Sequence, residues 1–276
     1  MDVLRIAAFS DGEQGGNPAG VWLGDALPDA DTMQRIAAAV GFSETAFAAP
    51  RADGWRVRYF SPQTEIPFCG HATIALGAAL ALRHGDGDFA LTLNHAQISV
   101  RGQREGTAVA ATLRSPATRS AIADEALLVR ALELFGLTRA DLDPRLPPAQ
   151  IHAGADHLLL VLRSREKLAA MRYDLEQGCA LMREAGWITI ALVWIETPAR
   201  FHARNAFASG GVYEDPATGA AAAALAGYLR DTNWPHGGAI DIVQGEDMGM
   251  RSLLRAAATG PAGAPVEVSG TARLMA

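Results

Sequence analysis

Three side chains in this sequence have the chemistry to move a proton near neutral pH. Glu44 lies in the stretch GFSETAF, His71 in IPFCGHATIALGAALALR, and Asp215 in GGVYEDPATGAAAAALAGYLR. A buried carboxylate works as a general acid and base because burial carries its titration toward neutrality, and an imidazole titrates there unaided. Each residue also has an ordinary reading. A glutamate just past a helix stop is usually a solvated surface group, and a lone histidine is usually structural. Asp215 and Thr218 suit the start of a helix as caps. What decides between these readings is the set of elements that hold the residues.

The stretch from Ala72 to Leu82 has no polar face, being broken only by Thr73 and Gly77. A helix that is apolar all round belongs inside a protein or a bilayer, and this one is too short to span a bilayer. Ala220 to Leu229 reads the same way, with no polar face until Tyr228 and Arg230. Helices this small and apolar fit a tight enclosure, such as the inside of a curved sheet. Their first turns then carry buried N–H groups with no partner inside the helix. If two domains face one another, both helix starts can point at one cleft, where partial positive charge suits a carboxylate. The first start brings Gly70 and His71, and the second brings Asp215, Thr218 and Gly219. An internal repeat supports the pairing: Arg58 precedes Cys69, and Arg204 precedes Asp215, by the same interval.

Around these helices the chain is strand-rich. Met1 to Phe9 alternates as a strand, a glycine-rich loop GEQGGNPAGV follows, and Val21 to Leu23 reads as the next strand. Asp31 is placed to cap a helix in which Met33, Ile36, Ala37 and Val40 recur at helical spacing before Gly41. ETAFAAP and GWRVRYF form a strand pair, and FALTLN, QISVRG and TAVAATL read as short strands after the first buried helix. Amphipathic helices follow at Asp124 to Phe135 and Asp174 to Ala185. HLLLVLR, WITIALVWI and RFHARNAF are strands.

Composition excludes several classes of function. At 276 residues with 49% hydrophobic content, the chain holds one large or two ordinary cores. A net charge of −6, with scattered Lys and Arg, offers no stripe for nucleic acid or an anionic membrane. Neither a signal peptide nor a transmembrane run is visible, so a cytoplasmic location is expected. Two cysteines, Cys69 and Cys179, make no disulfide framework and no usual zinc spacing. GGNPAG lacks the Lys-Ser/Thr of a phosphate loop, and GFSET lacks the second glycine of a nucleophile elbow. No dinucleotide fingerprint and no metal cluster are read.

Four motifs in order, GNPAGV at 16–21, SETAF at 43–47, FCGHAT at 68–73 and EDPATGAA at 214–221, resemble the phenazine-biosynthesis PhzF-like family. The resemblance covers nearly the whole chain. It implies an α+β fold of the diaminopimelate epimerase type: two similar domains, each a strongly curved or barrel-like, mostly antiparallel sheet around a central helix. The domains are drawn as 1–118 with a helix at 71–82, and 119–262 with a helix at 219–230. Residues 263–276 form a terminal strand, with a return to the first domain as one option.

The resemblance further implies an isomerase that uses neither metal nor organic cofactor and shifts a proton on a small carboxylic acid. By motif the catalytic glutamate falls on Glu44, the helper histidine on His71 and the aspartate on Asp215. Asn17, Gly70, Thr218, Gly219 and Ala220 fall at the substrate site. Related epimerases use two facing cysteines, but only Cys69 is present here, which argues against a two-thiol mechanism. Ala220 stands where the phenazine enzyme has serine, so a different substrate is expected. Arg251 is displaced by one position from the family's Met-Gly-Arg-Pro-Ser pattern. A homodimer is expected by resemblance. The alternatives are a non-catalytic binding protein of the same fold, and a cofactor-free hydrolase or lyase using His71 and Asp215.

Overall fold

Short apolar runs separated by Gly, Asp and Asn become strands in the computed structural model, and the two all-apolar runs become helices inside them. The structure describes residues 2–106 and 108–276. Met1 and Thr107, which belong to two of the strands read above, lie outside the described residues. The chain forms two compact units, Met1–Arg114 with Ser269–Ala276, and Ser115–Val268.

In the first unit β1 (Leu4–Ala8) pairs antiparallel with β2 (Asn17–Leu23), and α1 (Ala30–Val40) leads to β3 (Thr45–Arg51), parallel to β2. β4 (Gly54–Phe60) turns back along β3, and the two-residue β5 (Glu65–Ile66) pairs with its end. α2 (Gly70–His84) then carries the chain to β6 (Gly87–Thr92), parallel to β4. β7 (Gln97–Glu105) and β8 (Ala108–Arg114) follow as an antiparallel meander. The chain's last strand pairs with both β1 and β8, which closes eight strands into a mixed barrel.

α2 is the barrel's filling. It packs against β1, β2, β3, β6, β7 and β8, and each residue from His71 to Ala81 is buried. The fit is close enough to dictate composition. A Cβ at Gly102 on β7 would lie 2.3 Å from the carbonyl oxygen of Gly77 and 2.8 Å from Cβ of Ala81. Strand backbone therefore touches helix backbone, and only glycine permits it.

The second unit repeats this winding. It contains β9 (Arg119–Ile122), α3 (Glu125–Leu134), β10 (Ala149–His152), β11 (Asp156–Leu162), α4 (Arg165–Ala169), α5 (Leu175–Ala185) and β12 (Thr189–Thr197). β13 (Arg200–Ala206), β14 (Glu214–Asp215), α6 (Gly219–Asp231), β15 (Ala239–Gln244) and β16 (Ser252–Ala257) complete it, and β17 (Glu267–Leu274) passes from it at Val268 into the first unit. β11 runs parallel to β12 across a helical crossover and β13 runs parallel to β15 across α6. These correspond to β2 with β3 and to β4 with β6. α6 packs against β9, β10, β11, β15 and β16, and Ala221 to Leu229 are buried. The α+β fold of two similar domains, each a curved sheet around a central helix, is thus the fold observed.

Several local expectations need correction. The cap of α1 is Asp29, not Asp31: its carboxylate accepts the Thr32 N–H at 2.8 Å and the Thr32 hydroxyl at 3.0 Å. Asp31 lies two residues later, already inside the first turn. β2 starts at Asn17 rather than Val21, because Pro18 opposes Ala7 on β1 while the pairing with β3 begins only at Gly20. A proline is tolerated where one edge of the strand has no partner. α2 runs on through Arg83 and His84, beyond the apolar stretch, as the helix emerges into solvent.

One buried polar chain in the second unit carries a pH prediction. His157 on β11 is fully buried; its Nδ1 lies 2.7 Å from the Thr189 hydroxyl, which donates to Asn205 Oδ1 at 3.0 Å. The hydroxyl has one hydrogen, so His157 Nδ1 carries the ring proton and Nε2 holds only a lone pair. Burial pushes the imidazole down to about 4, and His152 adds to this while Asp156 opposes it. The unfolded chain binds this proton from about pH 6.5 downward, whereas the folded chain refuses it until about pH 4. Stability present above pH 6.5 is therefore lost as pH falls through that window, by about 3 kcal/mol in full. His157→Gln is expected to flatten this part of the stability–pH curve in denaturant titrations; an unchanged slope would refute the assignment.

Candidate functional site

The candidate residues divide between the units. In the first, the GNPAG and SETAF motifs meet along β2 and β3. The Gly20 N–H donates to the Glu44 carbonyl at 3.0 Å, and Gly20 opposes Thr45. A Cβ on Gly20 would lie 2.6 Å from the Thr45 hydroxyl oxygen, so this glycine allows the close approach that fixes Glu44 at the head of β3. Asn17 is buried at the start of β2.

The FCGHAT motif is fixed just as firmly. Thr73 donates its hydroxyl to the Cys69 carbonyl at 2.6 Å, and the buried Tyr59 hydroxyl donates to Thr73 Oγ1 at 2.7 Å. Burial pushes the Tyr59 phenol well above its ordinary range, so it stays neutral. These bonds lock the first turn of α2, with Cys69 at the cap position and His71 the second residue of the helix.

The outcome is a cluster of three side chains from two elements. His71 Nε2 lies 3.2 Å from Glu44 Oε2, and its Nδ1 lies 3.4 Å from Cys69 Sγ. The Ser43 hydroxyl is 3.5 Å from the same Nε2. His71 and Cys69 are buried, and the Glu44 side chain is 14% exposed, so it is no solvated surface group. In the neutral ring, Nε2–H donates to the carboxylate and Nδ1 accepts from the thiol. Neither Ser43 nor Cys69 stood out in the sequence as a partner of His71, although both lie inside its motifs.

In the second unit Asp215 and Thr218 come together, but not as helix caps. The Thr218 hydroxyl donates to Asp215 Oδ2 at 2.6 Å, and the cap position of α6 makes no side-chain cap bond. Gln244, buried at the end of β15, organises the pair. Its amide donates to the Asp215 carbonyl at 2.7 Å and to Thr218 Oγ1 at 3.0 Å, while its oxygen accepts the Thr218 N–H at 3.2 Å. Gly219 and Ala220, half-buried, form the first turn of α6.

The repeat also has a different register from the one read by spacing. Counting from the helix starts, Gly70 and Gly219, the counterpart of Cys69 is Thr218 rather than Asp215. The link from β13 to β14 contains an extra turn, Ala208–Gly210, that the link from β4 to β5 lacks. What the two halves do share is an ion pair. Arg58 binds Glu65 and Arg204 binds Glu214, and each glutamate lies five positions before its helix.

Comparison with known proteins places this architecture. The Bacillus anthracis phenazine biosynthesis protein of the PhzF family has the same fold, with a TM-score of 0.84 over 99% of this chain and 96% of that one, at 23% identity. The chain also matches the model of the phenazine biosynthesis-like protein family over residues 6–276. It is 32% identical to the trans-2,3-dihydro-3-hydroxyanthranilate isomerase of Pseudomonas fluorescens over 273 residues, 96% of this chain and 94% of that enzyme. An uncharacterized isomerase of Deinococcus radiodurans is 33% identical over 230 residues, 82% of this chain and 75% of its own. The chain therefore belongs to the PhzF-like family, and its class of activity is isomerisation. No helix among the described residues is long and apolar enough to cross a membrane.

Proposed function

We propose that this protein shifts a proton on a small carboxylic acid, with Glu44 as general acid and base and with His71 and Asp215 assisting. The observation that carries the reading is the Glu44–His71 contact of 3.2 Å at the buried start of α2. Glu44 takes a proton from a carbon activated by the substrate's unsaturation and returns it at another carbon, so no atoms are gained or lost. His71, bonded to the same carboxylate, orients it and steadies its charge. The start of α2 supplies the carboxylate site, because the partial positive charge of a helix N-terminus favours an anion. The Pseudomonas fluorescens relative acts on trans-2,3-dihydro-3-hydroxyanthranilate, a compound that has both the carboxylate and the unsaturation. Here Ala220 replaces a hydroxyl-bearing residue, which favours a substrate with a different polar pattern. A cytoplasmic homodimer is part of the proposal, and a monomer by light scattering would remove that part.

The test is proton exchange in D₂O, followed by NMR, with a panel of unsaturated and hydroxylated amino acids. Deuterium uptake or a moved double bond supports the reading, whereas tight binding with no exchange would favour a non-catalytic binder. A change of product mass in ordinary water would favour a hydrolase or lyase. Gly70 gives a sharper check. A Cβ there would meet no protein atom within 4 Å, and alanine favours a helix over glycine by up to about 1 kcal/mol. Gly70→Ala is therefore expected to keep or raise the melting temperature. It should also weaken substrate binding at least about tenfold, about 1.4 kcal/mol, by filling the space at the helix start. Unchanged binding would move the carboxylate elsewhere.

A further inference from the structure

We propose that Glu44, Cys69 and His71 form a binding site for a thiophilic divalent cation, zinc above all, and that occupancy shuts the isomerase off. One ligand atom from each of the three, a carboxylate oxygen, the thiol sulfur and a ring nitrogen, all lie within 4.8 Å of one another. Sequence spacing gave no hint of this, because the ligands come from the head of β3 and the start of α2 rather than from one motif. Zinc holds sulfur at about 2.3 Å and nitrogen or oxygen at about 2.0–2.2 Å, so tetrahedral geometry separates its ligand atoms by about 3.4–3.6 Å. In the protein His71 Nε2 lies 3.2 Å from Glu44 Oε2 and 3.9 Å from Cys69 Sγ. Three corners of a tetrahedron then need the His71 and Cys69 atoms to close by a few tenths of an ångström and the Glu44 side chain to swing its carboxylate toward the thiol from within 4.8 Å.

The donor set also selects the metal. One thiolate with one imidazole suits zinc or cobalt and disfavours magnesium and calcium, which need several oxygen ligands. Cys69 and His71 are buried, so little competing water reaches them. The fourth corner remains for water. Binding displaces the thiol proton to solvent, takes the His71 Nε2 lone pair once the ring proton has moved to Nδ1, and engages the carboxylate. The last two are the groups the proposed isomerisation uses, so the inhibitory consequence rests on that reading, while the binding itself does not.

Cobalt is the probe, because thiolate ligation produces a near-ultraviolet charge-transfer band and tetrahedral geometry an intense visible band. The expected result for the intact protein is both bands, saturating at one equivalent and bleached by zinc. Cys69→Ala should abolish the charge-transfer band, while Cys179→Ala should leave it unchanged. Glu44→Gln and His71→Ala should each weaken cobalt binding at least about tenfold. Circular dichroism checks that each variant is folded; Cys69 makes no side-chain cap bond whose loss would unravel α2. No band in the intact protein, or a band that survives Cys69→Ala, would overturn the site. The absorption needs no substrate, so it stands or falls separately from the exchange experiment. Should exchange activity be found and persist at saturating zinc, the inhibitory half of the inference would fail alone.

Discussion

Glu44→Gln is expected to lower proton exchange by about 10²–10⁴-fold, the range a positioned general acid or base contributes. Glutamine keeps the shape of the side chain and removes its ability to take a proton. The structural cost should be small. Glu44 is held through its backbone, by the Gly20 N–H on its carbonyl, and this bond is untouched by the change. The amide replaces the carboxylate opposite His71 Nε2, and its oxygen can still accept from that ring nitrogen. Denaturation should therefore shift by less than about 1 kcal/mol, because the isosteric amide keeps a hydrogen-bond partner for His71 and leaves the backbone hold intact. His71→Ala and Asp215→Asn should lose less activity, since groups that orient or polarise contribute less than the proton carrier. NMR exchange on the same substrate ranks all three. Full activity in Glu44→Gln would remove it from the mechanism.

The parts legible in the sequence are those decided within one element. α2 and α6 were readable because an all-apolar face has nowhere to go but inside, and the need for a tight enclosure followed from the smallness of their residues. Motif order led to Glu44, His71 and Asp215. Contacts between elements were hidden. That Ser43 and Glu44 both reach His71 depends on how the head of β3 lies beside the start of α2, and nothing in local spacing encodes it. Gln244 joins Asp215 to Thr218 from a strand 26 residues beyond Thr218. The repeat was visible through Arg58 and Arg204, but its register was not, because a three-residue turn, Ala208–Gly210, shifts one copy. Spacing places the cap of α1 on Asp31, and the backbone path puts it two residues earlier, on Asp29.

The largest expected loss of stability comes from that same arginine repeat. Arg204→Met should destabilise the second unit by about 3–5 kcal/mol, whereas Arg58→Met should cost the first about 1 kcal/mol or less. The two pairs share their chemistry and differ in burial. Arg58 and Glu65 side chains are 22% and 27% exposed, while Arg204 and Glu214 are 8% and 3% exposed. Burial works against the charge on Arg204, but two parallel bonds to Glu214 hold it protonated, and its remaining nitrogen donates to the Ala169 carbonyl at 2.9 Å. Methionine fills much of the space yet leaves Glu214 as a buried carboxylate with its cation gone. Water can rescue Glu65 in that situation and cannot readily reach Glu214. Hydrogen exchange of peptides from β12 to β15 should show the loss, and Arg204→Met with Glu214→Leu should recover most of it, because a paired buried charge is roughly balanced by apolar packing. Failure of the double variant to recover would mean that the bond to Ala169, not the ion pair, is what the fold needs. Glu214 immediately precedes Asp215 on β14, so the single variant should also lose proton-exchange activity before it unfolds.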